Sequence, residues 1–418
     1  MTKKYIGDWV LSSTSFEPPI RIGNEFFYYL VRWSVDIFIV IPFLFFVLIG
    51  MVVKIFRKKR DKKQMFFGSH PIVLHMQNKK VLESTYDCTL FAFDDWSQGS
   101  MHNGMTLRAI MPSLLIGNKP YLFGSYWAMI WVLYRFDMVH LYFDGGLLER
   151  TIWWRLEPWL YQLYNIKTVM YPYGSDVMTI AKNNNRLQRW GHMQFHKRYF
   201  MMDHKRDIRN RWWCKYANLV IGYAPYIDFL PRLDILVWHG HIIDHIKFTP
   251  FPDTAEKIKI LHYASHSIRK SSGFICEQLG RLAQKYPNVQ VECLSGLSRE
   301  SALNKLEEAH IFIDSLNDGY IQFSSLEAML KGKVVLSALD TQLEEFFRQI
   351  APDRYETFFN ELPLIPITHS NLFERLEQLI QNPEGLSKIG EKNRLFANKL
   401  IEENIASYTE IISILAEQ

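Results

Sequence analysis

The sequence predicts an α/β protein: two doubly wound domains in tandem, preceded by one apolar helix that crosses a membrane near the N-terminus. Three observations carry that expectation. Along two successive stretches, short apolar runs alternate with helical patterns, as in parallel strands joined by crossover helices. The segment Ile311 to Ser337, IFIDSLNDGYIQFSSLEAMLKGKVVLS, reads as strand, polar loop, helix start, glycine stop and second strand. Ile37 to Val53, IFIVIPFLFFVLIGMVV, carries no charge.

With its flanks that run covers Trp33 to Phe56, about the length a helix needs to cross a bilayer. Trp33 and Tyr28-Tyr29 suit the interface. A cleaved signal peptide is disfavoured, because the run starts late, exceeds a usual apolar region and has no small-residue cleavage site behind it. Lys54 and the cluster Arg57-Lys58-Lys59-Arg60-Asp61-Lys62-Lys63 outnumber the basic residues ahead of it, Lys3, Lys4, Arg21 and Arg32. The positive-inside rule therefore puts residues 1–32 outside, a basic juxtamembrane linker at 57–68, and the rest in the cytoplasm, at the inner membrane of a single-pass protein. The formal net charge of +5 is concentrated in this cluster and in His196 to Lys215, which points to an anionic membrane surface more than to nucleic acid.

A chain of 418 residues is long enough for two ordinary domains, and 48% apolar with 22% charged residues is the balance of a folded protein. Cys88, Cys214, Cys276 and Cys293 lie far apart without metal-ligand or CxxC spacing, so reduced thiols are expected. The first domain, 69–245, has strand candidates at Ile72 to His75, Cys88 to Phe93, Met138 to Phe143, Thr168 to Tyr171 and Leu219 to Ile221. The boundary falls near His245 to Lys257, where HIKFTPFPDTAEK brings two prolines and no periodicity. The second domain, 246–418, opens with KILHYAS from Lys259, then a helix from Gly273 to Lys285, a strand from Val289 to Leu294, a helix from Arg299 to Ala309, and the unit at 311–337. Asn371 to Ala416 is helical by pattern.

Open parallel sheets bind ligands where strands end and helices begin, because free backbone N–H groups there attract phosphate. Arg269, Lys270, Ser271 and Ser272 stand at such a place and can neutralise a diphosphate; a solvated basic turn is the plainer alternative. Glu327 can accept ribose hydroxyls, yet Ser324-Ser325-Leu326-Glu327 also fits a capping box. Asp176 in GSDV orients an acceptor hydroxyl or caps the chain locally. His239-Gly240-His241 with His245 has the look of a metal site but no supporting ligand pattern. The segment His196 to Lys215 interleaves basic and aromatic residues, as does a membrane-surface helix or an ordinary charged helix face. Trp127 to Tyr134 and Trp153 to Tyr164 are aromatic enough to dip into a membrane interface or to be core helices. A nicotinamide dehydrogenase is excluded by the lack of GxGxxG after either domain's first strand.

Three pieces, ILHYASHSIRKSSGF, SSLEAMLKGKVVLS and KTVMYPYGSDV, resemble the GT-B glycosyltransferases, and within them family 4. That resemblance implies two Rossmann-like domains with a cleft between them, and metal-independent transfer of a sugar from a nucleotide diphosphate-sugar, with no cofactor. It places Ser265, Arg269, Lys270, Ser324, Ser325 and Glu327 at the donor, Gly174, Ser175, His239 and His241 on the acceptor side or cleft loop, and Asp176 with Tyr173 at the catalytic position. A lipid-linked or membrane-associated glycan is the implied acceptor, with membrane lipids as further partners and no nucleic acid. The chain departs from the family at two points: Gly319 stands where an acid eight residues before Glu327 is usual, and Tyr173 stands where a histidine is usual. Those departures keep open an inactive GT-B scaffold of a glycan assembly complex.

Overall fold

The computed structural model describes residues 22–56, 60–70, 72–93, 104–111, 121–195, 199–238, 240, 246, 248–252, 257–264 and 266–418. Two parallel sheets organise them. The first has seven strands in the order β3-β2-β1-β4-β5-β6-β7, with β1 at Gln64–Phe67, β2 at Asp87–Ala92, β3 at Met105–Thr106, β4 at Met138–Tyr142, β5 at Lys167–Tyr171, β6 at Leu219–Tyr223 and β7 at Ile235–Val237. The second has five in the order β12-β11-β10-β8-β9, with β8 at Ile258–Ala264, β9 at Val289–Ser295, β10 at Ile311–Ile313, β11 at Val334–Ser337 and β12 at Ile365–Pro366. Strands β1, β4, β6, β10 and β11 are buried at every residue. Helices cover both faces of such sheets, so the strands read as continuous apolar runs instead of alternating ones.

Two expectations are corrected. Ile72 to His75 is not a strand: Val73–Leu82 is a helix, and the strand is the upstream Gln64–Phe67, assigned to the basic linker. Leu74, Asn78 and Leu82 are all buried at helical spacing, but a polar run from Gln77 to Lys80 interrupts the helix, so its short apolar start imitates a strand. Cys276 and Cys293, expected as reduced thiols, are joined in a disulfide with Cα atoms 6.0 Å apart. They face each other because helix Ser272–Lys285 packs on β9, which residue spacing does not reveal.

Only part of the basic stretch is internal to the fold: Lys205, Arg211 and Lys215 are exposed, as are Phe200 and Met201. Arg209 of helix Asp203–Tyr216 is buried and donates to the Asp144 carbonyl and, at 3.4 Å, to Glu149, while Lys182 pairs with Asp207 and Trp213 is buried. Lys197 and Arg198 lie outside the described residues.

The last helix, Leu386–Glu417, ties the two halves together. Its Ala397, Leu400 and Ile401 belong to the core around β10 and β11, whereas Tyr408, Ile412, Leu415 and Ala416 enter the core of the first sheet. Truncating the fully buried Ile412 to alanine is expected to cost about 2–5 kcal/mol, read as a lower melting temperature of the purified chain. A change within about 0.5 kcal/mol would show that the tail does not hold the first domain.

Candidate functional site

The donor-side residues converge where β8 and β10 end, because these strands are neighbours in the second sheet. The turn after β8 carries Arg269 and Lys270, and the loop after β10 carries Asp314 to Gly319. Cross-links stitch turn to loop: Asn317 donates to the Arg269 carbonyl at 2.8 Å, and Leu316 N–H to the Lys270 carbonyl at 3.4 Å.

Lys270 is 4% exposed, so it is no solvated basic turn. Its ammonium pairs with the fully buried Asp314 and donates to Ser324 Oγ at 2.9 Å. Ser324 in turn donates to Asp314 at 2.8 Å, and Ser325 donates to the other Asp314 oxygen. Burial pushes the Asp314 carboxyl up, but Lys270 and the two hydroxyls outweigh it and hold the group below the usual carboxylate range. An ammonium has three N–H groups, and two are accounted for by these protein partners. Arg269 lies 3.7 Å from the buried Asp318, which also accepts from Ser315 at 3.1 Å and from Gln322.

The capping box does not form. Helix Phe323–Leu330 starts after Gln322, whose side chain makes no cap bond, and Ser324 and Ser325 are engaged with Asp314. Glu327, 4% exposed, pairs with Arg299 at 2.7 Å. Burial raises its carboxyl above the ordinary range, with Arg299 and Lys270 pulling the other way.

The backbone at Gly319, where the resemblance expects an acid, favours glycine. Gly319 has φ +75°, a left-handed conformation that side chains rarely adopt, and a Cβ there would fall 2.7 Å from Asn185 Nδ2 and 3.0 Å from Asp340 Cβ. Asn185, from the first domain, donates to Asp340 at 2.9 Å across this approach. The two halves also meet at Tyr226 and Tyr320, whose hydroxyls are hydrogen-bonded, and at Gly191, whose Cβ position lies 3.0 Å from the Arg269 carbonyl.

On the first-domain side, Asp176 is fully buried and accepts the N–H groups of Tyr173 at 3.0 Å, Gly174 at 2.8 Å and Phe143 at 3.2 Å. Burial and the neighbouring Asp144 push its carboxyl up to about 8, against the pull of those donors. Both oxygens are committed to the chain, so Asp176 shapes the loop and presents no carboxylate to the cleft. Tyr173 donates its hydroxyl to Asp144, and Ser175 is exposed. Ser265, His239 and His241 lie outside the described residues. Among the described residues, no group of three or more His, Cys, Asp or Glu side chains is placed to hold a metal ion.

Beside the Lys270 cluster opens a cavity of about 470 Å³, lined by Trp190 of the first domain and by His262, Ser271, Ser272, Leu294 and His369 of the second. His262 is neutral at its floor: Nδ1–H donates to the Ile313 carbonyl at 2.8 Å, and Ser272 Oγ lies 2.7 Å from Nε2. Burial pushes its pKa down to about 4. Asp314, His262 and Arg299 were not singled out for this site by sequence reasoning. Nothing local links Asp314 to Lys270, which lies 44 residues away.

No family model matches the chain, and no curated protein matches it in sequence. Among solved structures, sucrose-phosphate synthase from Thermosynechococcus elongatus is similar over 85% of this chain and 99% of its own, at 12% identity and a TM-score of 0.55. An S. aureus MnaA-UDP co-structure is similar over 84% of this chain and 98% of its own, at 13% identity and a TM-score of 0.43. The first likeness shows the fold: two parallel α/β domains in the GT-B arrangement.

Proposed function

We propose that this chain is a membrane-associated glycosyltransferase that moves a sugar from a nucleotide diphosphate-sugar to a lipid-linked or membrane-associated glycan. The observation that carries this reading is the meeting of Lys270, Ser324, Ser325 and Glu327 at the ends of β8 and β10, beside a cavity open between two GT-B domains. When the bond from the anomeric carbon to the diphosphate breaks, negative charge grows on the leaving phosphate. Prearranged N–H donors and cations stabilise that charge most where water is excluded. Lys270 and Arg269 supply the cations, Ser324 and Ser325 hold the Asp314 carboxylate that positions Lys270, and Glu327 accepts from the ribose. The acceptor hydroxyl bonds to the anomeric carbon as that carbon's bond to the diphosphate breaks, and its proton passes to the departing nucleotide diphosphate.

The apolar helix Leu30–Ile55, long enough to cross a bilayer, supports a membrane location for that acceptor. A panel of UDP-, GDP- and other nucleotide sugars is expected to contain at least one that raises the melting temperature, since a ligand at a hundredfold excess over its Kd adds about 2.7 kcal/mol to stability. Folded protein that none of them stabilises would sink the transferase reading. That result would favour the inactive scaffold, for which the specific observation is that Arg269 and Lys270 each already face a carboxylate.

A further inference from the structure

The apolar N-terminal helix does not stand clear of the body. One stripe of it, Arg32, Asp36, Phe43, Val47 and Gly50, is buried at the spacing of a single helical face. Asp36 is the anchor. It pairs with Arg32 at 3.2 Å, accepts the Tyr126 hydroxyl at 2.7 Å and the Ile152 amide at 3.0 Å, while its own carbonyl accepts the Trp153 indole N–H at 2.9 Å. Farther along, a Cβ on Gly50 would fall 1.8 Å from the Tyr134 ring, so only glycine permits this approach. The Tyr134 and Tyr164 hydroxyls donate to the Phe46 and Val47 carbonyls, and Lys54 donates to the Tyr164 carbonyl at 2.6 Å.

From Arg32 to Lys54 the helix runs roughly 33 Å at 1.5 Å per residue. A hydrocarbon core is about 30 Å thick. If this helix crossed the bilayer, the body seated along that whole length would have to enter it too, including the irregular backbone at Ile152 and Trp153 and the neighbouring Arg150 and Arg155. Irregular backbone and charges facing lipid are strongly disfavoured there. The opposite face of the helix is made for lipid: Trp33, Ile37, Phe38, Ile41, Phe45 and Leu48 are each more than half exposed. Beyond its end, Arg60, Lys62 and Lys63 are exposed, and Arg60 donates to the carbonyl of the exposed Arg135 at 3.2 Å. Such basic groups complement anionic headgroups.

We propose that Leu30–Ile55 lies along the membrane instead of across it. Its exposed face sinks into one leaflet of an anionic phospholipid bilayer, its other face stays locked on the body, and both helix ends share the body's side of the membrane. A half-embedded helix of this kind reaches about 5–10 Å into the headgroup and acyl boundary. The inference departs from the single-pass topology expected from the basic cluster. It rests on the docked stripe and not on glycosyl transfer, so either can fail alone.

The test uses the full chain with an N-terminal epitope behind a site-specific protease site, expressed in a bacterial host, with detergent-solubilised protein as the cleavage control. The expected result is that the epitope survives protease added to intact spheroplasts, is removed from inside-out vesicles, and that the chain stays with the membrane in high salt. Cleavage in intact spheroplasts, or survival in inside-out vesicles, would mean a spanning helix and would overturn the proposal. Recovery of the chain in the soluble fraction would overturn it as well, because the exposed face would then not be held by lipid.

Discussion

Replacing Lys270 by methionine lowers stability by about 3–5 kcal/mol, the usual loss when one partner of a buried ion pair is removed. The cause is Asp314, fully buried, which would keep two serine hydroxyls and lose the ammonium paired with it. Denaturation of the purified variant against wild type measures the effect, and pH gives it a signature. In the wild type the Asp314 carboxyl sits below its ordinary value, so its contribution is present above the unfolded carboxylate range, about 3.9, and is lost as pH falls through the depressed folded value. In the variant the same carboxyl is unpaired, burial raises it, and ionisation becomes a cost that acid removes. The penalty of Lys270→Met should therefore be largest near neutrality and shrink as pH falls toward 4 and below. The double variant Lys270→Met with Asp314→Leu should lose less than the sum of the single losses, since no unpaired charge remains buried. A pH-independent penalty, or strictly additive losses, would show that the pair does not hold the loop after β10.

Glu327→Gln separates binding from folding. A carboxylate bonded to a ligand hydroxyl contributes about 1.5–3 kcal/mol, so nucleotide-sugar affinity should fall roughly 10- to 150-fold and glycan product with it. Stability should move little. Burial holds the Glu327 carboxyl above its usual range, so its ionised form carries a cost near neutrality that glutamine does not. Arg299, the ion-pair partner left behind, is 36% exposed and can return to water. Titration calorimetry on the best nucleotide sugar, beside a melting curve, reads both quantities. If the glutamine variant binds like wild type, Glu327 is a structural partner of Arg299 and the ribose role is lost.

These two residues also show what was legible beforehand. The helix at 323–330, its glycine stop and the strand at 334–337 follow from local pattern, since apolar periodicity and Gly332 act over a few residues. Whether Glu327 caps that helix or faces a ligand was undecidable locally, because both roles need the same carboxylate in the same turn. Arg299, 28 residues away, removes the cap. Asp176 is the opposite case. Its three N–H partners include Tyr173 and Gly174, so the loop-shaping alternative could be written from sequence, but Phe143 on the neighbouring strand end is what completes it. Gly319 was visible as a departure from the resemblance, but its left-handed backbone and the closeness of Asn185 and Asp340 are features of the tertiary structure.

By itself the sequence determined the α/β class, the two series of buried strands and the presence of one helix apolar enough for a membrane, because each depends on hydrophobic periodicity and composition among near neighbours. The tertiary structure alone decided the pairings. Lys270 meets Asp314 across 44 residues because β8 and β10 are adjacent in the sheet, and Asp36 meets Tyr126 across 90 because the helix lies against the body. A buried charge takes whatever partner strand order and docking bring within reach, and neither is written in the spacing of residues around it.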